Sequence, residues 1–335
     1  GAPHALHIVA VVGALTALYA ATIALVQTDI KKVLAYSTIS QIGYMVMACG
    51  VAAYSAAVFH LMTHAFFKAL LFLGAGSVIH GMGGEQNIFK MGGLRRYMPK
   101  TWITFLIACL AIAALPGFSG FFSKDEILWE AFSSPHGGAA LWLVGVITAA
   151  LTSFYMFRLY FITFTGELRS GGNGHGSHDS HAGHAGHGSH GTPHESPASM
   201  TIPLMLLAVL SIAGGWVGLP KVFFGDNAWS HFMEPVFAAG EAAGHSAAEA
   251  HDGSMEITLM AISVVVSLLG IAAAWYMYGR GERPVEKSAA EMSPLHRLLA
   301  NKYYMDEIYT AVFVKPALYL SRDVFWRAEI GRAHV

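Results

Sequence analysis

The most regular feature of the sequence is a series of long apolar blocks separated by short polar segments. A helix needs about 20 apolar residues to cross the hydrocarbon core of a bilayer. Seven blocks of roughly that length or more predict seven membrane crossings and an all-α, polytopic transmembrane helix bundle. The blocks run over residues 4–27, 33–53, 56–79, 101–132, 139–163, 201–219 and 255–278.

The fourth block is too long for one straight crossing and predicts a discontinuous helix. It contains Pro116-Gly117, with Gly120 following. Proline removes a helical hydrogen bond, and a broken backbone at membrane depth is tolerated only where it is buried in protein or lines a hydrated cavity. A plain proline kink is the alternative interpretation of the same residues.

Two segments outside the apolar blocks have a different character. Residues 170–198 are rich in glycine, serine and histidine, which predicts a disordered connector. Residues 292–328 mix apolar and charged positions, a pattern typical of an amphipathic helix that lies along a membrane or protein surface. The alternative for the second segment is a soluble tail packed on loops.

The composition supports the membrane assignment and narrows the function. Only 12% of the residues are charged and 54% are hydrophobic, whereas soluble domains carry roughly 25% charged residues. The formal net charge of −1 offers no basic field for nucleic acid, so no nucleic-acid partner is expected. Cys49 and Cys109 lie far apart in apolar blocks and indicate neither a disulfide framework nor a metal site.

The distribution of basic residues predicts the orientation. Positive charges concentrate in the cytoplasmic loops of membrane proteins. One side has only Lys221 and an acidic set that includes Glu234 and Glu241. The other side, which we therefore place in the cytoplasm, has Lys31, Lys32, Lys90, Arg95, Arg96, Lys100, Arg169, Arg280, Arg283, Lys287, Arg297 and Lys302.

Three titratable residues lie in the third apolar block at steps of four. His60, His64 and Lys68 would form one row about 12 Å long on a single helix face. A charge at the bilayer centre costs about 2.5–3.5 kcal/mol on insertion scales, so such groups are expected to face a protein interior or a hydrated path. The row suggests a proton relay. Neutral histidines hydrogen-bonded inside a bundle are the alternative.

Two further polar clusters are candidates for the same chemistry. Lys124 and Asp125 follow the broken helix and could mark a proton entry or exit point. The same residues could instead begin a helix with Ser123 as its N-cap and acidic residues in its first turn. Lys32, near Asp29 at a cytoplasmic helix end, could join the relay or anchor the helix at the headgroups.

Metal transport is the rival hypothesis. His60 and His64 have the spacing of two ligands on one helix face, and zinc transporters combine intramembrane histidines with a His-rich loop. Against it, Leu61 stands where a catalytic glutamate would be, no carboxylate shares the row, and Lys68 would repel a cation. We predict no metal site, with a weak possibility on the loop at His175, His178, His181, His184, His187 and His190.

Several runs resemble the antiporter-like L subunits of respiratory complex I, NADH–quinone oxidoreductase. They are QTDIKKVLAYSTISQIGYM, FHLMTHAFFKALLFLGAGSVIH, EQNIFKMGGLRRYMP and LPGFSGFFSKDEI. The same core occurs in multisubunit Na⁺/H⁺ antiporters and membrane-bound hydrogenases, which remain alternatives. The run NKYYMDEIYTAVFVKPALYLSRD favours the L subunit, because it is similar to the start of that family's long lateral helix.

The resemblance implies a proton-translocating subunit that depends on quinone reduction elsewhere in the complex. It implies that His60, His64 and Lys68 form the central relay and that Lys124, beside Asp125, is the terminal proton-transfer residue. Partners would be the other membrane subunits of complex I, in a bacterial inner membrane. No cofactor is expected in this chain, since no NADH, flavin, iron–sulfur or evident quinone site is recognisable, and the chain alone is not expected to be catalytic.

The resemblance also suggests a division of the chain. Residues 1–165 would form an antiporter-like core truncated at its N-terminus, 166–200 a cytoplasmic His/Gly-rich loop, and 201–278 two peripheral transmembrane helices. Residues 279–329 would begin the lateral amphipathic helix. We expect residues 330–335 to be an artefact, because they match the translation of a common sequencing adapter.

Overall fold

The structure, a computed structural model, describes residues 3–169, 192–220, 227–245, 253–280 and 291–330. These residues are helical with short connections and form two compact units, the second of which comprises the described residues from 291 onwards. The helices of the first unit are α1 (Pro3–Ala24), α2 (Ile30–Gly50), α3 (Tyr54–Gly81), α4 (Pro99–Ile112), α5 (Ser119–Ser133), α6 (Ala139–Phe164), α7 (Ala198–Ala213), α8 (Ala228–His245) and α9 (Gly253–Ala274).

The predicted polytopic helix bundle is confirmed. In the described ranges, six helical segments are long and apolar enough to cross a membrane. They are His4–Ala24, Ile30–Gly50, Tyr54–Gly81, Ala139–Phe164, Ala198–Gly218 and Gly253–Gly279. Each of the six falls on one of the predicted blocks.

The fourth predicted crossing is discontinuous, as expected from its length. It consists of α4, with 14 residues, and α5, with 15. The connection between them turns sharply, with a positive φ of 58° at Ala114 and 90° at Gly117. The backbone therefore leaves the helix completely for several residues, which is more than a proline kink would produce.

Helices α1 and α2 pack with their backbones in close contact. A Cβ atom at Gly13 would lie 2.3 Å from the backbone nitrogen of Met47, and one at Gly43 would lie 2.5 Å from that of Ala17. The hydroxyl of Ser40 donates to the Ala17 carbonyl at 2.9 Å. Small residues at membrane helix interfaces permit this approach, and it positions the polar face of α2 towards α3 and α6.

The connecting segments gather at two opposite ends of the first unit. At one end Ile30 N donates to Gln86 O at 3.0 Å and Gly93 N donates to Thr165 O at 2.9 Å. At the other end the Ser134 hydroxyl donates to the Val51 carbonyl at 2.8 Å. The basic residues that the sequence assigns to the cytoplasmic loops before residue 170 all belong to the first of these ends.

One helix is not anticipated by the sequence. Helix α8 occupies part of the segment that the charge pattern marks only as acidic. It is attached to the bundle through Trp229, whose indole N–H donates to the Ser55 carbonyl at 3.1 Å and whose ring stacks on Phe59 with centroids 5.3 Å apart. Ten of its eighteen residues are hydrophobic, but they form no block of crossing length, and the charge pattern does not predict that Trp229 packs on α3.

The second unit is helical over the segment where the sequence predicts an amphipathic helix. It starts with α10 (Pro294–Ala300), capped by the Ser293 hydroxyl, which accepts from His296 N. A helical stretch of alternating α and π turns follows over residues 305–330. Near its start the Lys302 ammonium contacts the Asp306 carboxylate at 2.6 Å. The predicted course of this helix along the membrane stays a prediction.

Candidate functional site

Helix α3 brings His60, His64 and Lys68 to one face that points into the bundle. Their relative exposures are 0%, 7% and 5%. The two imidazole centroids are 6.2 Å apart. The sequence interpretation placed these groups in a protein interior because of their cost in lipid, and the structure does place them there.

His60 connects α3 to two other helices. Its Nδ1 lies 2.9 Å from the hydroxyl oxygen of Ser123 on α5, and its Nε2 lies 3.2 Å from Oε1 of Gln41 on α2. The Ser123 hydroxyl is also 2.7 Å from that of Thr63, one turn along α3. All four side chains are fully buried. The row thus begins in a polar network rather than in isolated contacts.

His64 and Lys68 have fewer polar contacts than His60. The edge of His64 packs against Phe67, with ring centroids 5.4 Å apart, and its Nε2 has no hydrogen-bond partner among the described residues. The Lys68 ammonium donates to the Leu34 carbonyl on α2 at 3.2 Å. A buried amine held by a single carbonyl can gain or lose its proton without breaking an ion pair.

Lys124 lies at the break between α4 and α5. Its ammonium donates to the carbonyl of Ile112, the last residue of α4, at 2.7 Å, and lies 5.4 Å from the centroid of the Tyr44 ring. The C-terminal carbonyls of a helix carry partial negative charge and favour a cation. The chain break therefore supplies the oxygen that holds this lysine, which is 1% exposed.

Lys124 and the α3 row form one electrostatically connected group. His60, His64 and Lys68 each interact electrostatically with the Lys124 ammonium. Asp125 is buried beside Lys124, but the two form no ion pair. Asp125 instead lines a small cleft of about 10 Å³ together with Lys124, Ser263 and Ser267, the last two from α9.

Two interpretations of the sequence change with the structure. Ser123 is not an N-cap: α5 begins one turn earlier at Ser119, so Ser123 and Asp125 lie inside the helix. Lys32 is exposed at the start of α2, where its backbone N–H donates to the Asp29 carboxylate at 3.2 Å. That position fits the alternative of a positional anchor, and the structure does not bring Lys32 to the buried row.

Arg158 is a buried charge that the sequence interpretation missed. It lies in α6 with 4% exposure and donates to the Gln27 carbonyl at 3.0 Å. Its guanidinium lies between the rings of Phe89 and Tyr278, 5.6 and 5.8 Å from their centroids. A single arginine inside an apolar block is costly, and that signal was available in the sequence.

The described residues give no support to a metal centre. Among them, no group of three or more histidine, cysteine, aspartate or glutamate side chains could hold a metal ion. The loop histidines from His175 to His190 lie outside the described residues. Cys49 and Cys109 are free thiols.

Together, the bundle, the broken helix and the buried lysines and histidines define a polytopic membrane protein built to keep ionisable groups inside its helices. Residues 2–152 match the family model described as NADH:quinone oxidoreductase/Mrp antiporter, transmembrane. This match extends over just under half of the chain, and that part is similar to the antiporter-like membrane subunits of this family.

Two curated proteins are similar to almost the whole of this chain. The chain is 46% identical to an NAD(P)H-quinone oxidoreductase chain 5 of Picosynechococcus sp., over 96% of this chain and 48% of that one. It is 40% identical to an NADH-quinone oxidoreductase subunit L of Neisseria meningitidis serogroup B, again over 96% and 48%. The chain thus spans about half the length of the curated relatives that it matches.

Two solved structures share the fold. A chain of the Mrp complex from Dietzia sp. matches with 26% identity and a TM-score of 0.55, over 96% of this chain and 33% of that one. A chain of an archaeal membrane-bound sulfane sulfur reductase matches with 23% identity and a TM-score of 0.63, over 97% and 53%. The second likeness concerns the fold alone.

Proposed function

We propose that this chain is a proton-translocating membrane subunit of NADH–quinone oxidoreductase, driven by quinone reduction in other subunits. The observation that carries the proposal is the buried group formed by His60, His64, Lys68 and Lys124. These four residues interact electrostatically and share no ion pair that would fix their charge. The names of the relatives from Picosynechococcus and Neisseria support the choice of complex.

The chemistry of the site favours protons as the transported species. Lysine and histidine bind protons reversibly and repel metal cations when charged. Lys68 and Lys124 are each held by a backbone carbonyl, from Leu34 and Ile112. Two ammonium groups in a low-dielectric interior repel each other, so a proton that arrives at one favours release from the other. The imidazoles of His60 and His64 bind the proton at intermediate steps of its transfer between the two lysines.

The remaining features of the proposal concern its surroundings. We propose that the partners are the other membrane subunits of the complex, including neighbouring antiporter-like subunits, and that the complex lies in a bacterial inner membrane. The chain would contribute no redox cofactor. Its own residues bind, orient and pass protons, and electron transfer would take place in other subunits.

Substitution of the two lysines tests the proposal. In the assembled complex, Lys68→Ala and Lys124→Ala should leave assembly intact and lower the number of protons pumped per electron in sealed vesicles. Lys31→Ala, which alters an exposed lysine of α2, is the matched control and should pump as the unmodified complex does. Undiminished pumping in an assembled double variant of Lys68 and Lys124 would reject the proposal.

A second candidate is a subunit of a multisubunit Na⁺/H⁺ antiporter, which the likeness to the Mrp complex favours. The same vesicles separate the two. An antiporter subunit should support proton movement driven by a sodium gradient without NADH, and a complex I subunit should need NADH and quinone. Metal transport finds no cluster of ligands in the described part of the chain.

A further inference from the structure

His60 differs from His64 in that both of its ring nitrogens have a hydrogen-bond partner. Nε2 faces Oε1 of Gln41 at 3.2 Å, and Nδ1 faces the hydroxyl of Ser123 at 2.9 Å. These partners come from α2 and α5, so two helices other than its own determine how this ring can bind hydrogen. All three residues are 0% exposed.

The chemistry of the partners fixes the position of the hydrogen on neutral His60. A carboxamide oxygen only accepts, so Nε2 of the ring must carry the hydrogen that it donates to Gln41. Nδ1 is then bare and accepts from the Ser123 hydroxyl. The Ser123 oxygen can in turn accept from the Thr63 hydroxyl, 2.7 Å away.

The same partners also accommodate a protonated ring. An imidazolium donates from both nitrogens, to the Gln41 oxygen and to the Ser123 oxygen. The displaced Ser123 hydrogen has another acceptor in the Ser119 carbonyl at 3.4 Å, and the Thr63 hydrogen has the His60 carbonyl at 3.2 Å. No ring nitrogen loses its partner in either state, and a buried polar group without a partner costs about 1–3 kcal/mol.

We propose that Gln41 and Ser123 are positioning residues that set the tautomer of His60, and that protons cross between α3 and α5 through the Ser123 hydroxyl. The inference rests on the proposed function. In the step, the O–H bond of Ser123 breaks as an N–H bond forms at Nδ1. The serine oxygen takes up a proton released by the Lys124 ammonium, so the hydroxyl is restored, the lysine is left as a neutral amine and the positive charge moves to the His60 ring.

The position of Ser123 fits a connection between the row and the terminal lysine. Ser123 directly precedes Lys124 on α5, and the Lys124 ammonium interacts electrostatically with His60. Without Ser123, the described hydrogen bonds of His60 would reach only α2. The hydroxyl is therefore the hydrogen-bonded link from the α3 row to the helix that carries Lys124.

Serine substitutions in the assembled complex provide the first test. Ser123→Ala should lower the protons pumped per electron in sealed vesicles as much as Lys124→Ala does, with assembly unchanged on native gels. Ser123→Thr keeps a hydroxyl and should restore pumping. Ser133→Ala removes a buried hydroxyl further along the same helix, which the proposed step does not use, and should pump normally. Normal pumping by assembled Ser123→Ala would overturn the inference.

Gln41→Met provides a second test that does not alter α5. It keeps the length of the side chain but removes the acceptor for His60 Nε2, so it should lower pumping in the same way. Loss in the Lys124→Ala complex together with normal pumping in both Ser123→Ala and Gln41→Met would refute the inference and leave the proposed function standing. Normal pumping in all of them, Lys68→Ala included, would refute both.

Discussion

The buried cations of this protein are held by backbone carbonyls. Lys68, Lys124 and Arg158 donate to the carbonyls of residues 34, 112 and 27, and none has an ion pair within the described ranges. A carbonyl partner stabilises a cation and leaves no opposite charge behind when a lysine releases its proton. Arginine stays protonated in proteins. The same kind of contact therefore allows the two lysines to release a proton, whereas at Arg158 it only attaches one helix to the neighbouring loop.

Arg158→Ala should therefore destabilise the protein without removing a proton carrier. The variant leaves the buried Gln27 carbonyl without its donor and opens a space between Phe89 and Tyr278. We expect a loss of about 2–4 kcal/mol in the free energy of unfolding. Thermal unfolding of the purified complex measures it. The protons pumped per electron at low temperature should stay at the unmodified value, and a selective loss of pumping would contradict the structural role.

Glu85, in the loop that precedes α4, gives a pH-dependent prediction. Burial alone would raise its pKa, but the N–H groups of Asn87 and Gln86 and the Lys90 ammonium, 3.6 Å away, outweigh it and hold the pKa below its usual range. A carboxylate with a lowered pKa stabilises the folded loop above about pH 4.5 and stops doing so as the pH falls through its folded pKa.

The measurement is amide hydrogen exchange at residues 86 and 87. Glu85→Gln should speed exchange at neutral pH, because the charged acceptor of both N–H groups is lost. The difference between variant and unmodified protein should shrink as the pH falls through the lowered pKa of Glu85. A difference that stays undiminished down to the lowest pH at which the protein remains folded would show that the carboxylate charge is not responsible.

At the scale of elements, the contact between α1 and α2 depends on the absence of side chains. Gly43→Ala would place a methyl group 2.5 Å from the Ala17 backbone and force the helices apart. We expect destabilisation of about 1–3 kcal/mol. Gly76→Ala in α3 is the matched control, since nothing lies within 4 Å of its added methyl. It should be neutral or stabilising by up to about 1 kcal/mol, because alanine favours helix. Thermal unfolding in detergent distinguishes them.

The elements also show how far the sequence alone can predict this molecule. Bilayer thickness imposes a length on every crossing, and for that reason the apolar blocks predicted six of the spans correctly. The dipeptide Pro116-Gly117 predicted the position of the break. Helix α8 was not predicted because its hydrophobic residues form no block of crossing length and Trp229 finds its partner only in α3, far away in the chain. The pairing of Gln41 with His60 was not predicted for the same reason. The sequence shows that Gln41 is polar, but it does not show which helix lies opposite.

At the scale of the molecule, the segregation of its loops predicts which residues are reachable from each side. In a background without Cys49 and Cys109, Lys31→Cys should react with an impermeant maleimide only from the cytoplasmic side. Ala139→Cys, exposed at the opposite end of the bundle, should react only from the other side. Labelling of intact cells and of inverted vesicles measures this. The reverse pattern would overturn the orientation that the basic residues predict.

The near-equal halves of the broken crossing have an electrical consequence. Because α4 has 14 residues and α5 has 15, the connection between them, and Lys124 one turn beyond it, fall near the middle of that crossing. A proton on Lys124 has then traversed about half of the transmembrane voltage, which amounts to on the order of 1 kcal/mol for every 100 mV. The fraction of Lys124 that carries a proton would thus depend on the transmembrane voltage. A high voltage would itself slow further transport.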